Sequence, residues 1–380
     1  MIIFTIETVC FAPFKYKSRG GHRPMTNQQS PSLQVICSTF LSSNQPFKVE
    51  PYGNGLVNKT FLVTATHNTG ERHYILQRIS SAFKTPADLM TNLQGIIEWI
   101  GGNTQGIIKA KSGLPYYVDA DGRYWRMMTY VENSTSFEST ENTPELFQSA
   151  GKAFGTFAKS LQGFPIDQIV DTIPDFHNTP LRLKALLQAL SSDTCSNSMI
   201  TECREEINFF LGQAKWIEDT YSKIAKTPLC VTHNDTKLNN ILFNKDTLEP
   251  ICVIDLDTVM KGYLAFDFGD AVRFGANTAA EDEPSIWKIG INLDLFRAFA
   301  SGYIPAASPS PQILDTFVCG TQIITVELGI RFLTDYFSSN IYFRTEYEKH
   351  NLVRARSQIA LAKDIETKHD KMQKILTDVA

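Results

Sequence analysis

The sequence predicts an α+β chain in two lobes, a small, mainly antiparallel β lobe followed by a larger, mainly helical one. Three observations carry that expectation. Alternating apolar residues interrupted by turn signals run through 47–78, as in VEPYGNGLVNKTFLVTATHNTGERHYILQR. After Val131 the period lengthens, with Leu146, Phe147, Ala150, Phe154, Phe157, Ala158 and Leu161 at helical spacing. Between later helical stretches sits a single strand–turn–strand unit, Ile241–Phe243 and Ile251–Ile254 around 244–250.

Taken in order, residues 1–46 read as an N-terminal extension that is poorly ordered. Their first 24 residues look like a loose extension or a misassigned start before Met25, and folded structure is expected to begin near Pro46. Lys15, Lys17 and Arg19 follow the early apolar run rather than precede it, which does not fit a secretory signal. The β lobe is placed at 47–131: two strands around Gly53-Asn54-Gly55, a third at Tyr74–Leu76, a helix over 86–101, and two strands around the 119–122 turn. The helical lobe is placed at 132–380, with further helices near 181–191, 202–226, 286–303, 312–337 and 351–377.

Composition narrows the function classes. The 380 residues are 43% apolar and 20% charged, enough for two or three domains or one large two-lobed enzyme with a full core. A net charge of -4 offers no basic surface for nucleic acid, and no run of eighteen apolar residues predicts a membrane span. The seven cysteines are scattered without a C-x-x-C pair, as expected for reduced thiols in a cytoplasmic protein. No heptad seam is visible, so a monomer without an obligate protein partner is expected.

The chemistry concentrates in THNDTKLNNILF (232–243) and the apolar strand that ends VIDLDT (253–258). A protein that moves the terminal phosphoryl group of ATP must orient a hydroxyl, hold Mg²⁺ and neutralise developing charge. One Asp accepts the hydroxyl proton, an Asn five residues on supplies a hard oxygen to the metal, and a later strand-end Asp supplies another. Asp235, Asn240 and Asp255 stand in that order, and the turn between strands lets the last two face one point. Lys237 can reach the transferred phosphate as a point charge.

These motifs, with CVIDLDTVMKGYLAFDFGDAVRFG after them, resemble the aminoglycoside phosphotransferase and choline kinase superfamily. PDFHNTPLR (174–182) and LGIRFLTDYF…IYFR…HNLVRAR (328–356) are similar to its N-acetylhexosamine 1-kinases. The resemblance runs from about Tyr52 to about residue 360. It implies a two-lobed protein-kinase-like fold, ATP as donor, Mg²⁺ as cofactor and a hexosamine (GlcNAc or GalNAc) phosphorylated on its anomeric hydroxyl.

The remaining parts are assigned around that frame. Gly53, Gly55, Asn58 and Thr60 belong to a loop placed to cover the phosphates. The third strand lacks the usual Lys; Arg78 is expected to substitute, as the resemblance suggests, although strict alternation would turn Gln77 inward. Residues 125–134, including Tyr130 and Val131, have the place of the adenine hinge. Asp257 is either a second metal ligand or a solvated strand end. Asp267 is expected to bond the catalytic-loop backbone, and His233 to be a packed residue that shapes that loop.

The acceptor side is read from charge. Only eleven residues separate Asp255 from Asp267, too few for a protein kinase's activation segment. Residues 331–356 carry Arg331, Arg344, Lys349, Arg354 and Arg356 against three acids, unsuited to a polycation. Asp175, His177, Asn178, Arg331 and Tyr342 offer directional polar groups and an aromatic wall for a neutral sugar. A kinase of an amino alcohol or an aminoglycoside, and a non-catalytic nucleotide-binding scaffold, remain as alternatives.

Overall fold

The structure is a computed structural model that describes residues 32–42, 45–53, 58–67, 70–101 and 104–380. Its first element corrects an expectation. Helix α1 (Leu33–Phe40), capped by the Ser32 hydroxyl on the Val35 amide, buries Ile36 and Cys37 in a cluster with Val63, Ala65, Leu76, Trp125 and Met127. Folded structure therefore begins before Pro46, because the apolar stripe of LQVICSTF covers a sheet face that would otherwise meet water. Residues 1–31 lie outside the described residues.

The first lobe is built from strands β1 (Phe47–Pro51), β2 (Lys59–His67) and β3 (Gly70–Arg78), helix α2 (Pro86–Ile100), and strands β4 (Ile107–Ile108), β5 (Tyr117–Val118) and β6 (Tyr124–Thr129). The sheet is antiparallel in the order β1-β2-β3-β6-β4, with β5 on the first residues of β6. Side chains alternate across a strand, so register divides the lobe in two. Leu76, Trp125 and Met127 face the α1 cluster, whereas Ile75 and Met128 join Leu89, Leu93 and Ile96 in the core shared with the second lobe. The same parity places Thr60, Gln77 and Arg126, opposite one another on β2, β3 and β6, on the face toward the second lobe.

The second lobe follows: β7 (Ser134–Thr135), α3 (Pro144–Ser160), α4 (Thr179–Leu190), α5 (Asn197–Glu202), α6 (Arg204–Gly212), α7 (Ala214–Ile224), β8 (Cys230–Thr232), β9 (Ile241–Asn244), β10 (Pro250–Val253), β11 (Met260–Gly262), α8 (Leu264–Gly275), α9 (Leu293–Ala307), α10 (Pro311–Leu314), α11 (Phe317–Phe337) and α12 (His350–Val379). The helix expected over 202–226 is broken at Gln213, and the one expected from 286 starts at Leu293 behind an Asn292 cap. Helices α3 and α9 cross with their backbones touching, since a Cβ on Gly151, Gly155 or Gly302 would overlap the partner helix. Helix α11 is apolar and long enough to cross a membrane, yet 78% of that apolar window is buried inside the protein, packed against α4, α8 and α12. Sheets β10-β9-β7 and β11-β8 form the floor on which the site is built.

Candidate active site

The loop between β8 and β9 is set by its backbone. Glycine is required at 262, where a Cβ would strike the Thr232 hydroxyl and the Asn234 amide oxygen. Asn234 takes a left-handed φ of 63° and donates from Nδ2 to the Thr258 carbonyl at 2.9 Å. The backbone amides of His233 and Asn234 donate to the Asp267 carboxylate at 2.8 and 2.7 Å, and the Thr236 hydroxyl donates to the Asp267 carbonyl. His233 is fully buried edge-on to Phe154 and Phe157; its Nε2 donates to the Ile254 carbonyl and its Nδ1 accepts the Asp235 amide. Both residues thus brace the loop, as the sequence led us to expect.

On this brace four side chains converge. Lys237 Nζ lies 2.8 Å from Asp235 Oδ1, and Asn240 Nδ2 donates to the Asp235 carbonyl and to Oδ2 at 2.8 and 3.1 Å. Burial works against the charge on Asp235, but Lys237 and the Asn240 amide outweigh it and hold the carboxyl below its usual range. With its NH₂ committed, Asn240 presents its amide oxygen on the other side. The antiparallel register sets Val253 opposite Ile241, the Ile254 amide donates to the Asn240 carbonyl at 2.9 Å, and Asp255 comes next with φ 57°. Asp255 keeps accessible surface, yet its dense surroundings, then Asp257 and Asp235, push its carboxyl up to about 6. A carboxylate that feels the charge of two others, one residue after the backbone bond that ties Ile254 to Asn240, suits a hard divalent cation, which would relieve that repulsion.

Asp257 is neither a solvated strand end nor free for metal. It is 3% exposed, takes two bonds from the Arg126 guanidinium (Nη2 to Oδ2 at 3.0 Å) and a third from Asn58 Nδ2 at 2.7 Å. Asn58, expected to donate to phosphate, is committed elsewhere: its amide oxygen accepts the Ser80 amide at 2.9 Å and its nitrogen holds Asp257. Gln77 bridges Thr60 Oγ1 at 3.1 Å and Arg126 Nε at 2.9 Å. Arg78, expected to grip phosphate, stands opposite Trp125 and Lys59 on the sheet face away from the second lobe. Alternation along β3 therefore overrides the assignment to Arg78, and the inward cation comes from β6.

Of the nucleotide segment, Gly55 lies outside the described residues; Gly53 has φ 69°, a turn conformation. The ends of the loop are tied by Tyr52 N donating to the Thr60 carbonyl at 3.0 Å. Tyr130 packs edge-on to Tyr52 and His73; its hydrogen bond to Tyr52, then burial, pushes its hydroxyl up to about 12. The Val131 carbonyl accepts the Ser134 hydroxyl at 2.6 Å.

On the acceptor side the structure brings Asp175, Arg331 and Tyr342 together but takes His177 and Asn178 away. His177 spends Nδ1 on Glu327 at 3.0 Å and Nε2 on the Asn234 carbonyl at 3.1 Å, tying α11 to the catalytic loop. Asn178 is the N-cap of α4, its oxygen accepting the Leu181 amide and its nitrogen reaching Asp175 at 3.3 Å. Arg331 lies over the rings of Phe176, Tyr342 and Phe343 at 5.4–5.7 Å and reaches the Tyr342 hydroxyl at 3.4 Å. Asp175 is exposed beside it at φ 54°. Burial, then Arg331 itself, lowers the pKa of neighbouring Arg182, while Glu327 and Asp175 pull it the other way, so this wall carries charges of both signs.

Glu327 and Arg126 escaped the sequence reading. Burial opposes charge on Glu327, but His177 and then Arg331 and Arg182 keep its carboxyl below the usual range. An acid within the apolar run TQIITVELGI, and an Arg within the strand YWRMMT, were the available signals.

The sequence model of the phosphotransferase enzyme family matches residues 48–289. Among solved structures, an aminoglycoside phosphotransferase from Alicyclobacillus acidocaldarius is similar with a TM-score of 0.56 at 15% identity, covering 92% of this chain and 100% of that one. An ethanolamine kinase from Plasmodium vivax gives 0.58 at 12%, covering 88% and 91%. A choline kinase from Cryptosporidium parvum gives 0.57 at 14%, covering 91% and 98%. At such identities the likeness is one of fold.

Proposed function

The chain belongs to the phosphotransferase enzyme family, and on that premise we propose that it transfers the γ-phosphoryl group of ATP to the anomeric hydroxyl of an N-acetylhexosamine. The observation that carries the reaction is the convergence of Lys237, Asn240 and Asp255 on Asp235. The acceptor class rests on Arg331 and its aromatic rings, together with the similarity of 174–182 and 328–356 to hexosamine 1-kinases. A guanidinium and a carboxylate set beside aromatic rings offer directional hydrogen bonds and a ring face, which suit a neutral polyol.

Asn240 and Asp255 would hold Mg²⁺, which supplies charge neutralisation to the nucleotide phosphates. Asp235 accepts a hydrogen bond from the acceptor hydroxyl and orients it in line. The bond from that oxygen to the γ-phosphorus forms while the bond to the bridging oxygen of ADP breaks, and the proton passes to Asp235. A carboxylate held below its usual range is a weak base, which suffices because the proton moves late in a loose transition state. Lys237, shared with Asp235, follows charge onto the moving phosphoryl group.

Phosphorus NMR of the protein with MgATP and, separately, GlcNAc, GalNAc, glucose, galactose and choline tests this. An anomeric phosphate signal with the N-acetyl sugars is expected. ADP formed only with another acceptor overturns the sugar assignment; nucleotide binding without turnover on any of them supports the scaffold alternative.

A further inference from the structure

We propose that Arg126 is a positioning residue for the metal-binding turn, joining Asp257, and through it Asp255, to the β lobe. The cation missing from β3 is supplied by the next strand and is aimed at the turn. The inference rests on the assignment of Asp255 as a metal ligand.

Three β-lobe donors meet on one carboxylate of the second lobe: both terminal nitrogens of Arg126 and Nδ2 of Asn58. Each donor is itself held, Arg126 by Gln77 at its Nε and Asn58 by the Ser80 amide. The Arg126 and Asp257 side chains are each 4% exposed. Two desolvated charges are hard to separate, because either alone would be buried without a partner. A surface pair would leave the lobes free to slide; this one does not.

The backbone transmits the hold. Asp255 stands at a left-handed φ of 57°, and 256–258 close a single tight turn, with the Val259 amide on the Leu256 carbonyl. Within so short a turn, fixing the Asp257 side chain fixes the direction in which Asp255 leaves β10. Asn58 directly precedes β2, so the inward row of the sheet and the carboxylate two residues after Asp255 share one set of bonds. A partner that orients a ligand typically changes metal affinity about 10- to 100-fold when removed. A buried pair with no such duty would change folding stability only.

The test uses the full chain with Arg126→Met and Asp257→Leu combined, which removes both charges and leaves neither unpaired. Mn²⁺ binding is measured by electron paramagnetic resonance with the β,γ-imido analogue of ATP present, and analogue binding is measured separately without metal. The expected result is a folded protein that binds the metal-free analogue normally, binds Mn²⁺ about tenfold more weakly, and needs correspondingly more Mg²⁺ for turnover. Should the double variant fail to fold, Asn58→Ala, which removes only the third donor, must weaken Mn²⁺ binding in the same direction by less. Unchanged Mn²⁺ affinity in the folded double variant, or in Asn58→Ala where that decides, overturns the proposal while Asp255→Asn still loses the metal. If Asp255→Asn keeps normal Mn²⁺ binding, the metal assignment falls and the positioning role with it.

Discussion

The catalytic loop and the acceptor wall lie side by side and are built on different terms. In the loop the backbone amides of 233, 234 and 235 all end on buried partners, and His233, Asn234 and Asp267 are 0–3% exposed. At the wall Tyr342 is 61% exposed, Asp175 is exposed, and Arg331 is held by ring faces and one long hydrogen bond. For the phosphoryl transfer proposed above, the difference would separate two tasks: chemistry common to every acceptor held by saturated, buried bonds, and the choice of acceptor left to side chains that can change without disturbing the fold.

The largest expected effect tests the first region. Asp235→Asn keeps the shape and the bond to Asn240 but removes the proton acceptor, and turnover should fall about 10²- to 10⁴-fold with thermal stability nearly unchanged. Steady-state kinetics beside a melting curve decides it; a folded variant with near-normal turnover removes Asp235 from the chemistry. Next comes the brace itself. Asp267→Ala orphans two buried amides, each worth about 1–3 kcal/mol, so its melting temperature should drop clearly. Arg331→Ala should do the reverse: nearly unchanged melting, and acceptor kcat/KM lower by roughly ten- to a hundredfold for the loss of a hydrogen bond to a charged group. If both variants behave alike, the contrast between the regions is wrong.

How much of this was legible follows the same divide. Asp235, Lys237, Asn240 and Asp255 fall within one short stretch, where spacing alone implies geometry, and the β-then-α order of the lobes follows from hydrophobic period. The wall is assembled from segments about 150 residues apart. The partner of His177 is Glu327, and nothing in the local text of either announces the other. Asn178 was a different kind of miss: Asn before Thr-Pro at the start of an apolar period is a helix-cap signal, and the cap has the side chain. For Asn58 the competing partner, Asp257, lies 199 residues away, beyond any local pattern.

A smaller effect concerns pH. Asp255 is pushed up to about 6 by its surroundings and by two neighbouring carboxylates, against an ordinary 3.8. Between those values the metal-free folded state binds more protons than the unfolded chain, so its stability falls as pH rises through that window. Metal must displace the same proton, so Mg²⁺ binding should weaken as pH falls below 6. Asp255→Asn should therefore melt slightly higher than the parent at pH 8 without Mg²⁺, and lose the stabilisation that MgATP gives the parent. Melting curves with and without MgATP at pH 5 and pH 8 check both signs. A variant that melts lower than the parent at pH 8 contradicts the electrostatic account.

The smallest expected effect separates neighbours on one strand. Arg78 and Gln77 differ by one residue, hence by a whole sheet face. Gln77 stands in the row with Thr60 and Arg126 and bonds to both. Arg78 stands with Trp125 on the face that α1 covers, partly exposed, where a substitution typically changes stability by no more than about 0.5 kcal/mol. Arg78→Ala should thus leave the KM for ATP nearly unchanged and change stability by no more than about 0.5 kcal/mol. Gln77→Ala removes the bond that orients Arg126 and should raise the Mg²⁺ requirement as well. ATP and Mg²⁺ titrations of the two variants at saturating acceptor make the comparison. A tenfold rise for Arg78→Ala with little change for Gln77→Ala would mean that the strand turns its other edge to the nucleotide. Thr60, Gln77 and Arg126 would then lose their place as the row that meets the second lobe.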